Sequence, residues 1–353
     1  PQQENVFSIP IKTIQRPDKE YQLNIYYVLK NEEPFLPKDY EIAADQFLLS
    51  TLPAINFSPS SKASLKVEQT AAQCSLSGKG FSIVFDLHKG LLASYKLKGE
   101  EIIQQGPMPS FWRAPTDNDI GAGFNKNLRT WRNAYETGNE LKHTVLKIND
   151  GHYKISFTKE LINGDAKHSQ TFDVYGDGSI KVENHFTAIK GKYQLLLRAG
   201  NNITLNKDFS NINWYGRGPG ENYWDRKTNT FIGQYKQTVD EQYYPYARPQ
   251  ESGNHTEVRW VTFGNAKGRK IQFVFTDSLL SFSALPYNLD DLDPEMNKKQ
   301  YHSGELNKRN EIYLHIDLNQ TGLQGIDSWG SSPLEKYRVP FKEYFYSYWI
   351  KVK

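Results

Sequence analysis

The chain of 353 residues is poor in cysteine, in long apolar runs and in net charge. Its single cysteine, Cys74, excludes an intrachain disulfide framework and any cysteine-based zinc site. It says little about compartment, because a secreted bacterial protein can do without disulfides. No run approaches the roughly 20 apolar residues that span a bilayer. Lys plus Arg number 43 against 40 Asp plus Glu, a formal net charge of +3. That balance gives no electrostatic reason to expect nucleic acid or an anionic membrane as a partner. The chain opens Pro1-Gln2-Gln3-Glu4, without an initiator Met, a basic region or an apolar signal core. It therefore reads as a mature product or a fragment, with any targeting signal upstream.

Aromatic residues, by contrast, make up 14%. That suits a large β core, or carbohydrate surfaces on which flat rings stack against sugar faces. Most of the chain runs in short alternating stretches punctuated by turns, the all-β pattern. Phe81–Asp86, Thr171–Tyr175, Ile180–Val182, Lys270–Phe275 and Glu311–Asp317 read as strands, and aromatic-rich Tyr344–Val352 as a final buried one. Asp177-Gly178 and Asn163-Gly164 are hairpin signals. Phe124, Leu128, Trp131 and Tyr135 recur at helical spacing and predict one helix capping a sandwich.

Pro53, Pro59 and the cluster Ser58-Pro-Ser-Ser61 mark a boundary between Leu52 and Ala63. Before it, three strands are predicted: Phe7 to Ile14, Tyr21 to Leu29 and Tyr40 to Leu49. An immunoglobulin-like sandwich needs about seven. Residues 1–57 thus read as the C-terminal part of such a domain, cut on its N-terminal side. Residues 63–353 are long enough for one large antiparallel β-sandwich.

Four segments concentrate Gly, Pro, Trp and paired polar residues: Phe111–Gly121, Asn213–Arg226, Tyr246–Asn254 and Gly325–Gly330. Each combines backbone positions suited to Gly with side chains that can bond a sugar hydroxyl. Arg113-Ala-Pro-x-Asp-Asn-Asp-Ile-Gly121, Gly218-Pro-x-Glu-Asn-Tyr-x-Asp-Arg226 and Asp327-Ser-Trp329, in this order, resemble the C-terminal domain of glycoside hydrolase family 2 beta-galactosidases. Trp131 matches the family's Trp at the corresponding place, and the resemblance covers about Ala63 to Lys353 and extends into the block before it.

The resemblance implies a galactose mutarotase-like supersandwich packed against the mouth of a catalytic barrel. That barrel holds an acid/base Glu and a nucleophilic Glu, and retention requires two carboxyls about 5–5.5 Å apart. No stretch here resembles the barrel, so no catalytic residue is expected in this chain, which should be inactive alone. The implied partners are a terminal β-galactoside (lactose or a related oligosaccharide), the barrel itself and further copies of the parent in a homo-oligomer. No cofactor is expected in this chain; the resemblance places any Mg²⁺ or Na⁺ sites of the parent in other domains.

Trp329 is the residue-level expectation. In similar enzymes the Trp of the Asp-Ser-Trp segment reaches into the active site and stacks on sugar, and an indole in a loop of Gly, Asp and Ser is poorly placed for a core. Asp117, Asn118 and Asp119 invite a substrate or metal role, but a polar turn bonding its own backbone is the simpler reading, with a barrel-facing loop between the two. Ala122-Gly123-Phe124 lacks the acidic residue that some relatives carry there. Glu221, Asp225 and Arg226 read as a structural network around a Gly-Pro turn, and Glu251 and Asn254 alike. The run Asp290 to Glu295 has oxygen ligands without the central Gly of a calcium loop, and reads as a solvated turn or short helix. The eight histidines show no His-Glu-x-x-His spacing and read as surface or strand residues. Two rival readings are a free-standing carbohydrate-binding module, against which the truncated first block argues, and a purely structural domain.

Overall fold

The computed structural model describes residues 4–10, 16, 18–50, 53, 55–293, 295–296, 302–323, 327 and 330–353. The chain divides into two compact units, Pro1–Ile55 and Asn56–Lys353. Among the described residues, the first unit holds one antiparallel pair, Gln22–Val28 with Glu41–Leu48, in which Ile25 faces Asp45 and a bulge falls at Tyr27/Val28. The strand expected over Phe7 to Ile14 is not seen over its described part, residues 7–10; the remainder lies outside the described residues.

The second unit is all-β, built on two nine-stranded antiparallel sheets. The first runs Phe231–Thr238, Asn211–Gly218, Trp260–Gly264, Lys270–Val274, Tyr344–Val352, Ile180–Ala188, Ala166–Tyr175, His152–Leu161, Asn139–Asn149. The second runs His255–Val258, Leu280–Leu285, Glu311–Gln320, Arg198–Asn206, Glu100–Ser110, Leu91–Leu97, Phe81–Asp86, Gln73–Gly78, Lys66–Gln69. The last strand of the chain therefore lies fifth of nine, bonded to Lys270–Val274 on one side and Ile180–Ala188 on the other.

The alternation that predicts the strands also builds the core. Phe81, Ile83 and Phe85 are buried, while Ser82, Val84 and Asp86 between them are only partly covered. Across the gap, Phe85 of the second sheet meets Phe172 of the first with ring centroids 5.0 Å apart, and Trp214 of the first meets Phe282 of the second at 5.8 Å. These contacts make the two sheets a sandwich with one continuous apolar core. Each large side chain so buried contributes roughly 1.5–3 kcal/mol.

The single helix expected through Phe124 and Tyr135 is instead two short pieces, the α-helical turn Phe124–Asn127 and the 3₁₀ turn Arg129–Trp131, with a separate short helix Asp117–Gly121 before them. Leu128, at φ −108° and ψ 4°, leaves the helical conformation between the two pieces and interrupts propagation. The spacing nevertheless marks one apolar face. Leu128, Trp131 and Tyr135 are buried in a second cluster with Phe111, Phe186 and Leu195, and Phe124 packs against it. Trp131 meets the rings of Phe111, Phe186 and Tyr193 at 5.7, 5.9 and 5.0 Å.

Candidate functional site

The loop that follows strand Glu100–Ser110 brings Arg113 into the interior with no exposed surface. Its guanidinium forks onto Asp119, Nε to Oδ2 at 3.0 Å and Nη2 to Oδ1 at 2.8 Å. The same head donates to the carbonyls of Thr321 and Gly322. Asp119 also accepts from the Thr116 backbone at 3.0 Å, while Thr116 Oγ1 accepts from the Asp119 N–H at 3.2 Å. That reciprocal pair caps the turn Asp117–Gly121. Asp119 is thus held inside the protein by an arginine and a backbone N–H. Asn118 donates through Nδ2 to the Leu323 carbonyl at 3.0 Å. Asp117 is the outward member of the three: its carboxylate accepts from Arg248 Nε at 3.2 Å, and its N–H donates to Gln250 Oε1 at 3.3 Å.

The second segment is tied to the third. Asn222 and Asn254 exchange bonds, the Asn222 N–H to the Asn254 carbonyl at 2.7 Å and Asn254 Nδ2 to the Asn222 carbonyl at 2.8 Å. Asn222 Oδ1 accepts from the N–H and hydroxyl of Thr256. Glu221 gathers the Gly253 N–H at 2.8 Å, Arg226 Nη2 and the Tyr246 hydroxyl. Its lone pairs are occupied by the turn it stabilises, and Arg226 lies over the buried Tyr223 ring at 5.3 Å. Asp225 accepts the Leu323 N–H at 3.1 Å. These three charged residues form the structural network their sequence context suggests.

Thr321, Gly322 and Leu323 are therefore gripped by Arg113, Asn118 and Asp225 together. The chain leaves for the fourth segment at this point and returns at Tyr337, whose carbonyl accepts the Gly322 N–H at 2.7 Å. Trp224 Nε1 donates to the Lys336 carbonyl at 3.1 Å beside it. Gly325, Ser328 and Trp329 lie outside the described residues. Their neighbours are placed: Asp327 Oδ2 accepts from the Ser331 hydroxyl at 2.8 Å, and Gly330 packs directly on Gly121. The first three segments, with Gly330 of the fourth, meet at one end of the sandwich.

Glu251 and Asn254 do belong to a structural network, but sequence reasoning missed its buried charged partners, Arg198 and Asp317. Arg198, fully buried, bonds Glu251 Oε1 through Nη2 at 2.8 Å and lies 3.1 Å through Nε from Asp317 Oδ2. Gln320 Nε2 donates to Asn254 Oδ1 and Asp317 Oδ2, each at 3.1 Å. It also missed Asp293, a buried carboxylate that accepts from Trp112 Nε1 and Arg132 Nε, both at 3.0 Å, and from Arg129 at 3.3 Å. The acidic run around it forms the short helix Leu289–Leu292, with Asp290 on Arg132 and Asp291 on Arg309. These carboxylates are matched to arginines rather than arranged around a cation, and the described residues hold no group of three or more His, Cys, Asp or Glu able to bind a metal. His168 and His255 are core residues, each with burial as the main cause holding its imidazole down to about 3.

A cleft of about 620 Å³ opens at the far end of the same strands, lined by Glu100, Lys207, Asp240, Lys267, Lys308 and Arg309 among others. None of its lining residues is aromatic, so it offers no stacking face for a sugar.

The family described as beta galactosidase small chain matches residues 77–350, and the one described as beta-galactosidase, domain 4, matches residues 1–50. A beta-galactosidase of Priestia megaterium is 32% identical over 95% of this chain and 32% of its own length. One from Lactobacillus delbrueckii subsp. bulgaricus is 31% identical over 94% of this chain and 32% of its own. The chain thus spans about a third of the length of these relatives. Among solved structures, a galactose 1-epimerase from Lactobacillus acidophilus NCFM aligns with 83% of this chain and 99% of its own at a TM-score of 0.46 and 8% identity.

Proposed function

The chain belongs to the beta-galactosidase small chain family, and from that premise we propose that it is the C-terminal portion of a family 2 glycoside hydrolase cleaving terminal, non-reducing β-D-galactosides with retention. The carrying observation is the convergence of three loop segments at one end of the sandwich, where Arg113, Asn118 and Asp225 fix Thr321 to Leu323, the backbone just before the Asp327-Ser-Trp329 segment. A binding side chain is useful only when its support is rigid, and this support is built of buried, hydrogen-bonded strands. Trp329 supplies the stacking face for the galactosyl unit, and Asp117 lies on the outward side of the loop that faces the barrel. The domain's share in catalysis is to position substrate; proton transfer and nucleophilic attack belong to two carboxyls of a barrel outside this chain. The first unit is part of an immunoglobulin-like domain, consistent with its match to domain 4. Any Mg²⁺ or Na⁺ of the parent, and its assembly into homo-oligomers, fall to surfaces and domains beyond the sandwich core.

Two measurements test this. The isolated chain should show no turnover of a chromogenic β-galactoside, and purified material of this length that did cleave one would overturn the division of labour. In the full-length enzyme, Trp329→Ala should raise KM about tenfold, roughly 1.4 kcal/mol of binding, with a smaller effect on kcat. Unchanged KM would make Trp329 a packing residue.

A further inference from the structure

Beneath the convergent segments, the space between the sheets is charged. Arg198 faces two carboxylates, Glu251 and Asp317, and its Nη1 meets His315 Nδ1 at 2.8 Å. His315 brings no positive charge: burial, then the charge of Arg198, holds its imidazole well below the ordinary range. Arg113, whose charge also reaches Glu251, is committed to Asp119. Counted over the group, one guanidinium serves two acids. The remaining groups around Asp317 are neutral. Gln320 bonds its Oδ2, and strand Tyr344–Val352 contributes the phenols of Tyr346 and Tyr348, which burial raises well above their usual range, with the Asp317 charge adding to both. Asp317 Oδ1 and the Tyr346 hydroxyl are both buried without a hydrogen-bond partner. Residue 200 must be glycine to admit this carboxyl, since a Cβ there would stand 1.9 Å from Oδ1.

We propose that Asp317 is a proton-linked positioning residue, whose protonated carboxyl balances the Arg198–Glu251 pair and, through Gln320, sets the strand end leading into Thr321–Leu323. The consequence for sugar binding rests on the function proposed above; the proton linkage does not. A proton on Oδ1 comes from solvent and leaves Oδ2 free to keep its contacts with Arg198 and Gln320. Burial drives the carboxyl upward, Arg198 opposes this and Glu251 reinforces it, and the group reaches about 7. The unfolded chain has no such constraint, so the folded state binds the extra proton. Stability from this group is full below about pH 4 and is lost as pH rises through about 7.

Asp317→Asn keeps the shape and cannot ionise. In urea titrations from about pH 5 to pH 8, the variant should gain on the wild type steadily up to about pH 7; parallel profiles overturn the proposal. Carboxyl ¹³C titration of the wild-type chain gives the answer even if the variant does not fold: a carboxyl titrating near pH 7 supports it, and all carboxyls titrating below about pH 5 overturn it. In the full-length enzyme, KM for a nitrophenyl β-galactoside should rise several-fold through pH 7 in the wild type and stay flat in Asp317→Asn, with kcat profiles alike. KM profiles that coincide in the two proteins overturn the positioning role. If Trp329→Ala leaves KM unchanged while the stability profiles diverge, the sugar-site reading fails and the proton linkage stands.

Discussion

Gly330 lies against Gly121 so closely that a Cβ on Gly330 would stand 2.1 Å from the Gly121 carbonyl carbon. Two segments more than two hundred residues apart in the chain are joined backbone to backbone, and Gly330 also carries a φ of +97°. Gly330→Ala should therefore be doubly unfavourable, with about 1–3 kcal/mol from the backbone conformation alone and more from the displaced turn. Gly99→Ala is the control: its φ is +78°, but nothing lies within 4 Å of the added carbon. Urea denaturation should show a larger loss for Gly330→Ala. Equal losses would mean that the 330 backbone moves aside freely.

The Arg113–Asp119 pair makes a second prediction. Both side chains are almost wholly buried, and the guanidinium serves two carbonyls besides. Arg113→Met fills much of the volume but strands the Asp119 carboxylate and leaves the Thr321 and Gly322 carbonyls without their donor. A loss of about 3–5 kcal/mol is expected, read as a lower urea midpoint at unchanged m-value. A loss under about 1 kcal/mol would show that water reaches Asp119.

Strand Phe81–Asp86 and strand Tyr344–Val352 were legible because their apolar residues alternate or run together, and a sandwich core imposes that pattern. From Phe124 to Tyr135 the buried face is legible in the sequence but the continuity of the helix is not. Spacing reports which side chains share a core, whereas the backbone breaks at Leu128, a residue with no helix-breaking side chain to announce it. The site segments stood out through their motifs. Arg198 and Asp317, grouped with Glu251, did not, and the register shift between Ala199 and Gly200 explains why for Asp317. There the alternation lapses, so Ile316 and Asp317 are both buried, and a charged residue in Ile316-Asp317-Leu318 reads from sequence as facing water.

Acid should weaken the fold through histidine. His168 and His255 stay neutral in the folded chain down to about pH 3, chiefly because burial opposes their charge. In the unfolded chain they take up protons near pH 6.5. Their contribution is present above that value and is lost as pH falls from about 6.5 toward 3, roughly 2 kcal/mol each by pH 5. Asp317 acts in the opposite sense over part of this interval, so variant and wild type are compared at each pH. His168 sits among the rings of Phe111 and Tyr135, at 5.9 and 6.2 Å, where a phenyl group fits. His168→Phe should flatten the acid limb in urea titrations between about pH 7 and pH 5. An unaltered slope would show that His168 titrates normally.

The placement of Tyr344–Val352 at the middle of its sheet bears on how the molecule is made. Neither half of that sheet has its inner neighbour until these nine residues are in place, so the inner edges of Lys270–Val274 and Ile180–Ala188 wait unpaired until then. Deleting Tyr344–Val352 would not trim an edge; it would leave two half-sheets with nothing between them.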